Sequence, residues 1–176
     1  MKDNIYNSEF YDVDGNWVHK TAIINSNVVI GTGNVIGAYT VIGSNGEIRG
    51  AGRDEFQGQV VIGDNNTISE MVTIQAPLKK DAKTKIGNNN IIMAHAHIGH
   101  DVIIGDWCEI CTTSVIGGHV RIGDGAKIKL LCVVRNRVQI ANAAVVGMGA
   151  VVIKDVPYGC TVVGNPARFI ERKGTD

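Results

Sequence analysis

The residues best suited to catalysis form a short histidine cluster in the middle of the chain. His95, His97 and His100 lie within six residues, and Asp101 follows His100 directly. An imidazole has an ordinary pKa of about 6.5, so it can take a proton from an amine or a hydroxyl near neutral pH. An adjacent carboxylate can fix the tautomer of such an imidazole and stabilise its cation. The cluster predicts a general base, although Asp101 could instead make only a turn hydrogen bond.

A repeat of six residues determines where these side chains must lie. Every sixth residue from 86 to 152 is Ile or Val, and the residue after it is often Gly. The residue four positions after each Ile or Val forms a second column and is mostly small. One large aliphatic and one small inward residue in every six, with a turn that tolerates Gly, is typical of a parallel β-helix. Cys108 and Cys132 occupy the small column, so we interpret them as core residues. The repeating aliphatic residues are Ile86, Ile92, Ile98, Ile104, Ile110, Ile116, Ile122, Ile128, Val134, Ile140, Val146 and Val152.

This pattern resembles the hexapeptide-repeat family, whose fold is a left-handed parallel β-helix with three short strands in each coil. The resemblance implies that residues eighteen apart stack directly above one another, about 4.8 Å apart. His100 would then stack on Gly118 and Gly118 on Asn136, while Asp101 would stack on His119. These columns offer a histidine base, a carboxylate and a bare backbone N–H that can stabilise a tetrahedral oxyanion. These groups are suited to acyl transfer, which uses a general base for the acceptor and an N–H for the oxyanion.

The repeat covers most of the chain and divides it into three parts. We expect an N-terminal segment at residues 1–17, a β-helix at residues 18–157 and a short tail at residues 158–176. Two stretches interrupt the repeat, at residues 44–59 and 76–85, and both are predicted to project from a coil as loops. Long loops on a rigid scaffold often carry function, although the second one is equally well explained as a solvated excursion.

A closer resemblance, to the UDP-N-acetylglucosamine O-acyltransferases of lipid A synthesis, covers residues 62–123. It rests on the stretches IGDNNTISEMVTI, TKIGNNNIIMAHAHIGHD and GGHVRIGDGA. The resemblance implies that His100 is the catalytic base and that the backbone N–H of Gly118 stabilises the oxyanion. It also implies that His97 and His119 belong to the substrate site.

The carboxy-terminal part departs from the lipid A enzymes. Arg135-Asn136 replaces a His-Gln pair of those enzymes, and from residue 140 onward the chain reads differently. The end, AVVGMGAVVIKDVPYGCTVVGNPARFIERKG, resembles sugar N-acetyltransferases that use acetyl-CoA. In those enzymes the G-N-P-A-R segment closes the last coil near the coenzyme. We therefore expect Arg168, in this segment, to contact acyl-CoA, and we expect the same of Gly118 and Asn136.

Composition and charge exclude several other classes of protein. The 17 Lys and Arg residues balance the 17 Asp and Glu residues without a long run of one sign, so a nucleic-acid partner is not expected. No apolar run approaches the roughly 20 residues of a membrane span, and the polar amino end has no signal peptide pattern. Four cysteines in such a chain suggest a reducing cytoplasm. Cys108 and Cys111 form a lone C-x-x-C without the second pair that zinc usually needs.

A zinc hydratase and a non-catalytic scaffold are functions of other classes. His95 and His100 have the His-x4-His spacing found in γ-type carbonic anhydrases, which share the β-helix fold. Zinc catalysis needs three protein ligands and an open position for water, and no histidine lies between His19 and His95 to supply the third. The repeat alone would also fold without any histidine, as a scaffold. We expect neither of these, and we expect no metal cofactor.

The sequence therefore predicts an all-β enzyme that transfers an acetyl or other short acyl group from acyl-CoA to the amine of a nucleotide-linked amino sugar. The alternative is an acyl-carrier-protein-dependent sugar O-acyltransferase of the lipid A type. His100 would deprotonate the acceptor and Asp101 would orient His100. The side chains of His97, His119 and Asn136 would position sugar hydroxyls or the thioester. The resemblance also implies a homotrimer with active sites between subunits, and four outward valines suit such packing: Val115, Val133, Val145 and Val151.

Overall fold

The computed structural model describes residues 9–47 and 58–170, in which the regular elements are twenty-three strands, numbered β1 to β23 in chain order. The strands form three sheets, which we call A, B and C. Sheet A contains β1 (Phe10–Val13), β2 (Asn16–His19), β5 (Val35–Ile36), β8 (Thr67–Ile68), β11 (Ile91–Ile92), β14 (Glu109–Ile110), β17 (Lys127–Ile128), β20 (Val145–Val146), β22 (Thr161–Val163) and β23 (Arg168–Phe169). Sheet B contains β3 (Ile23–Ile24), β6 (Val41–Ser44), β9 (Thr73–Gln75), β12 (His97–Ile98), β15 (Val115–Ile116), β18 (Val133–Val134) and β21 (Val151–Val152). Sheet C contains β4 (Val28–Ile30), β7 (Gln59–Ile62), β10 (Lys83–Ile86), β13 (Ile103–Ile104), β16 (Arg121–Ile122) and β19 (Gln139–Ile140).

Neighbouring coils stack in the parallel register that the repeat predicts. In sheet A, Ile92 pairs with Ile110 and Ile110 pairs with Ile128, each eighteen residues further along the chain. In sheet B, Ile98 pairs with Ile116 in the same way. The chain therefore visits the three sheets in turn, once in each coil. The predicted fold, a left-handed parallel β-helix with three strands per coil, is confirmed.

The inward side chains fill a narrow core along the axis of the coil. The Ile and Val residues of the repeat between positions 86 and 152 are at most 2% exposed. Cys108 and Cys132 lie in the same core, and each thiol donates a 3.1 Å hydrogen bond to a carbonyl, of Gly123 and Gly147 respectively. Burial raises the pKa of the Cys108 thiol to about 11. The interpretation of these two cysteines as core residues agrees with their environment.

The chain turns from one sheet to the next at three corners, and two of them matter below. The B–C corner includes residues 99–102, 117–120 and 135–138, and the C–A corner includes residues 63–66, 87–90, 105–108 and 123–126. The third residue of each of these turns usually has a positive φ, as in Asp101 (59°), His119 (61°) and Trp107 (59°). This left-handed conformation costs a non-glycine residue about 1–2 kcal/mol. The tight turn places each corner residue directly above its equivalent in the next coil.

The strands reach beyond the predicted boundaries by one residue at each end of the loop 44–59 and by more at three other places. β10 begins at Lys83, inside the predicted loop 76–85, because Thr84 pairs with Val60 and is fully buried. At the amino end β2 begins at Asn16, and at the other end β22 and β23 add two strands to sheet A beyond residue 157. The β-helix therefore extends into both predicted terminal segments.

Parts of the predicted segments lie outside the described residues. These parts are residues 1–8, residues 48–57 of the predicted loop 44–59 and residues 171–176 of the predicted tail. Within the part of the chain that the structure describes, no helix is long and apolar enough to cross a membrane.

Candidate active site

The histidine cluster lies at the B–C corner, where His100 and Asp101 follow β12. His100 Nδ1 and Asp101 Oδ2 are 2.9 Å apart, which is hydrogen-bonding distance, and both side chains are only 12% exposed. The turn holds Asp101 in the left-handed conformation, and this brings two consecutive side chains into contact. A carboxylate accepts and does not donate, so Nδ1 carries the proton and Nε2 keeps its lone pair. The pair is therefore oriented as a base acting through Nε2.

Two groups outside the repeat hold the Asp101 side chain and backbone in place. The backbone N–H of Leu78 donates to Asp101 Oδ2 (3.1 Å), and the backbone N–H of Asp101 donates to Thr84 Oγ1 (2.9 Å). At the next coil the equivalent N–H, of His119, donates instead to the carbonyl of His100 (2.9 Å). The interruption after β9 leaves no regular turn next to Asp101 in the preceding coil, and the Thr84 hydroxyl takes the place of the missing carbonyl.

Both interruptions of the repeat meet at this corner. A Cβ on Gly46, which follows β6, would lie 2.8 Å from Leu78 Cδ2 and 3.1 Å from His100 Cβ. A side chain at this position would press on Leu78 and on His100. Sequence reasoning predicted the loops but missed Gly46, Leu78 and Thr84, because nothing in the hexad pattern indicates where an insertion folds back.

Gly118 lies directly under the imidazole of His100. A Cβ on Gly118 would collide with Nε2 and Cε1 of His100, so the ring covers bare backbone. The predicted stacking of His100 on Gly118 is present in the structure. Nε2 of His100 and the backbone of Gly118 therefore lie next to each other at the corner, where a reacting carbonyl could meet a base and a backbone N–H donor.

His119 completes the polar cluster from the next coil. Its ring packs edge-on against the ring of His100, with centroids 5.0 Å apart, and its Nε2 lies 3.9 Å from Asp101 Oδ2. Partial desolvation lowers the pKa of His119, Asp101 opposes this effect, and Arg137 adds to it. The side chain is 33% exposed, so it is accessible from outside the corner.

His97 projects from sheet B beside the corner, and His95 does not reach it. His97 Nδ1 lies 2.8 Å from Thr73 Oγ1, and burial lowers the pKa of His97 while Glu47 partly opposes the effect. His95 lies at the other end of β12, at the turn between sheets A and B, and it is exposed. The two histidines of the His-x4-His spacing therefore occupy two different corners and do not form a pair.

Of the predicted coenzyme contacts, Gly118 and Asn136 lie near the histidine cluster, and Arg168 lies far from it. Asn136 lies below Gly118, with Oδ1 against the backbone of Gly117. Arg168 is on β23 at the end of the coil, where it lines a cavity of about 240 Å³ with Lys154, Phe169 and others. Val152 also lines this cavity and stands three coils beyond Ile98 in sheet B, so the cavity is roughly 14 Å from the histidine cluster. The B–C corner runs along the coil between Asn136 and this cavity.

Three of these side chains could hold a metal ion. The ligand atoms of His100, Asp101 and His119 all lie within 4.8 Å of one another. The residues that fit a metal are thus not the His95 and His100 pair that the sequence suggested as an alternative.

These features define a class of protein, a β-helix built from hexapeptide repeats with a histidine–aspartate pair at one corner. The family described as bacterial transferase hexapeptide (six repeats) matches residues 83–118. An acyl-[acyl-carrier-protein]–UDP-N-acetylglucosamine O-acyltransferase from Ectopseudomonas mendocina is 39% identical over 110 residues, which is 62% of this chain and 43% of that protein. The chain thus spans less than half the length of the curated relatives it matches.

Two solved structures are similar to this chain at different levels of identity. A UDP-N-acetylglucosamine acyltransferase from Francisella novicida is 31% identical with a TM-score of 0.70, covering 89% of this chain and 68% of that one. A GDP-perosamine N-acetyltransferase from Caulobacter crescentus is 23% identical with a TM-score of 0.56, covering 89% and 56%, and it shares the fold alone. The chain belongs to the hexapeptide-repeat acyltransferase family.

Proposed function

We propose that this chain transfers an acyl group from a thioester to a nucleotide-linked sugar, with His100 as the general base. The observation that carries the proposal is the arrangement of three groups at one corner. Asp101 holds Nδ1 of His100, Nε2 of His100 is free to accept a proton, and the backbone of Gly118 lies beneath it. Membership in the acyltransferase family supports the same reaction.

The proposed reaction follows from this arrangement. Nε2 of His100 takes the proton of the acceptor as the acceptor attacks the thioester carbonyl, and the Gly118 N–H stabilises the resulting oxyanion. Asp101 stabilises the imidazolium that forms. When the tetrahedral intermediate collapses, the C–S bond breaks and the departing sulfur receives the proton from His100. His97, His119 and Asn136 surround the acceptor and position its hydroxyls or the thioester.

For the donor we propose acetyl-CoA or another short acyl-CoA, and for the acceptor the amine of an amino sugar. Lys154 and Arg168 support this donor, because two cationic side chains suit the coenzyme phosphates and line one cavity at the end of the same corner. Replacement of Arg168 by Gln should raise the KM for acyl-CoA and leave the KM for the sugar unchanged. Lys127→Gln, on the outward face of sheet A, is the matched control.

A second candidate is an acyl-carrier-protein-dependent O-acyltransferase. The 39% identity to such an enzyme over 110 residues favours it. A screen of nucleotide-linked sugars, with a free amine or a free hydroxyl, against acetyl-CoA and acyl-carrier-protein donors separates the candidates. Turnover of an amine with acetyl-CoA supports our proposal, whereas turnover only with the carrier protein and a hydroxyl supports the second candidate.

We also propose a homotrimer. Val115, Val133 and Val151 form an outward apolar column on sheet B that continues from His97, and Val115 and Val133 are exposed. Val145 lies on sheet A and does not belong to this column. A neighbouring subunit on this column would lie beside the histidine cluster. Analytical ultracentrifugation of the protein and of its Val133→Glu variant tests the proposal, since the variant should dissociate.

A further inference from the structure

The three side chains of the histidine cluster form a donor set that goes beyond what general-base catalysis needs. His100 Nδ1 lies 2.9 Å from Asp101 Oδ2, and His119 Nε2 lies 3.9 Å from the same oxygen. Two imidazoles and one carboxylate are the ligand types that Zn²⁺ prefers in sites with one open position. With metal–ligand distances of about 2.0–2.2 Å, tetrahedral ligand atoms lie roughly 3.3 Å apart. The two separations from Asp101 Oδ2 bracket this value, and the three ligand atoms all lie within 4.8 Å of one another.

The scaffold already holds these donors in place. Asp101 is fixed by the backbone N–H of Leu78 at Oδ2 and by Thr84 at its own N–H. The backbone N–H of His119 donates to the carbonyl of His100, which ties the two histidine turns together. Outer partners of this kind orient metal ligands and increase metal affinity. These contacts keep the three donor atoms within 4.8 Å of one another.

We propose that Zn²⁺ binds His100 Nδ1, Asp101 Oδ2 and His119 Nε2 and thereby blocks the transferase. The inhibitory part of this inference rests on the proposed function. A neutral imidazole carries a single proton, so a metal ion at Nδ1 of His100 moves that proton to Nε2. Nε2 then has no lone pair to accept the proton of the acceptor. The ion also takes the place of the hydrogen bond between Asp101 and His100.

Metal binding is tested without any substrate. Isothermal titration of the metal-free protein with ZnCl₂, and absorption spectra with CoCl₂, should give one tight ion per chain. His119→Gln removes one ligand and should weaken binding by at least about tenfold. His95→Gln, an exposed histidine at another corner, is the matched control and should bind as the unaltered protein does. Equal binding by His119→Gln, or equal weakening by His95→Gln, overturns the site.

Inhibition is tested separately on the intact enzyme with acyl donor and sugar. Zinc at concentrations that fill the site should abolish turnover, and excess EDTA should restore it. Full turnover with zinc bound overturns the inhibition and leaves the proposed function standing. If no sugar is turned over but the titrations behave as expected, the proposed function fails and the metal site stands.

Discussion

The B–C and C–A corners have the same backbone geometry, but their side chains have different roles. At the C–A corner, the second residue of each turn accepts a backbone N–H from the preceding coil. Asn88 Oδ1 accepts from Asp64 N–H (2.8 Å), Asp106 Oδ1 from Asn88 N–H (2.7 Å), and Asp124 Oδ1 from Asp106 N–H (2.9 Å). The ladder satisfies the turn amides and joins successive coils.

The equivalent positions at the B–C corner are His100, Gly118 and Asn136. The ring of His100 lies over the backbone of the following coil, where Gly118 has no side chain to oppose it. Asp101, in the next position, accepts from Leu78 and pairs with His100. The side chains of the C–A corner therefore contribute stability. At the B–C corner His100 and Gly118 do not continue such a ladder, and the imidazole lies beside backbone without a side chain. Four substitutions test this difference, and we describe them from the largest expected effect to the smallest.

Replacement of His100 by Ala should lower kcat by at least about 10², the low end for loss of a general base, and leave the melting temperature nearly unchanged. The side chain lies outside the core, so its removal opens no apolar cavity. Steady-state kinetics and a thermal melt measure the two quantities. A variant that keeps more than half of its activity would show that another group is the base.

Gly118→Ala should lower kcat by about 10², because its Cβ must displace the ring of His100 and a shift of about 1 Å in a catalytic group has an effect of this size. Gly125→Ala is the matched control at the C–A corner. Gly125 has a positive φ of 65°, which Gly118 does not have, and no atom lies within 4 Å of the position of its Cβ. The control should lose only about 1 kcal/mol of stability. Equal kinetic losses in the two variants contradict the role of the ring.

Thr84→Val removes the acceptor of the Asp101 N–H while preserving shape. Loss of this positioning contact should lower kcat about tenfold, the equivalent of one hydrogen bond, and change the pH profile of kcat. Thr84→Ser should restore both. Thr40→Val is the control, because Thr40 is equally buried and its hydroxyl donates to the carbonyl of Ser69 (2.7 Å), away from this site. If Thr40→Val lowers kcat as much, Thr84 has only a structural role.

Asp106→Ala tests the C–A corner itself. The substitution leaves the Asn88 N–H without its acceptor, so we expect a loss of about 0.5–1.5 kcal/mol in the free energy of unfolding and no change in kcat. Urea unfolding and kinetics of the same preparation measure both. A drop in kcat comparable to that of Thr84→Val would remove the distinction between the two corners.

Much of the candidate site could be predicted from the hexad repeat. The repeat is a translation of eighteen residues per coil, so it determines that His100, Gly118 and Asn136 share a column and that His119 lies below Asp101. It also explains why Cys108 and Cys132 are buried. The position of Arg168 could not be predicted from the repeat, because this residue follows the last regular coil and lies on an antiparallel strand, β23.

The sequence by itself determined the coil, its core and which residues meet at each corner. The reason is that the six-residue period is a local pattern, which is the same in every coil and does not depend on the rest of the chain. Only the tertiary structure decided that Nδ1 of His100 faces Asp101, and that Leu78 and Thr84 hold Asp101 in place. These contacts depend on the path of an insertion that breaks the repeat. Its hydrogen bonds join residues about twenty positions apart that no local period relates.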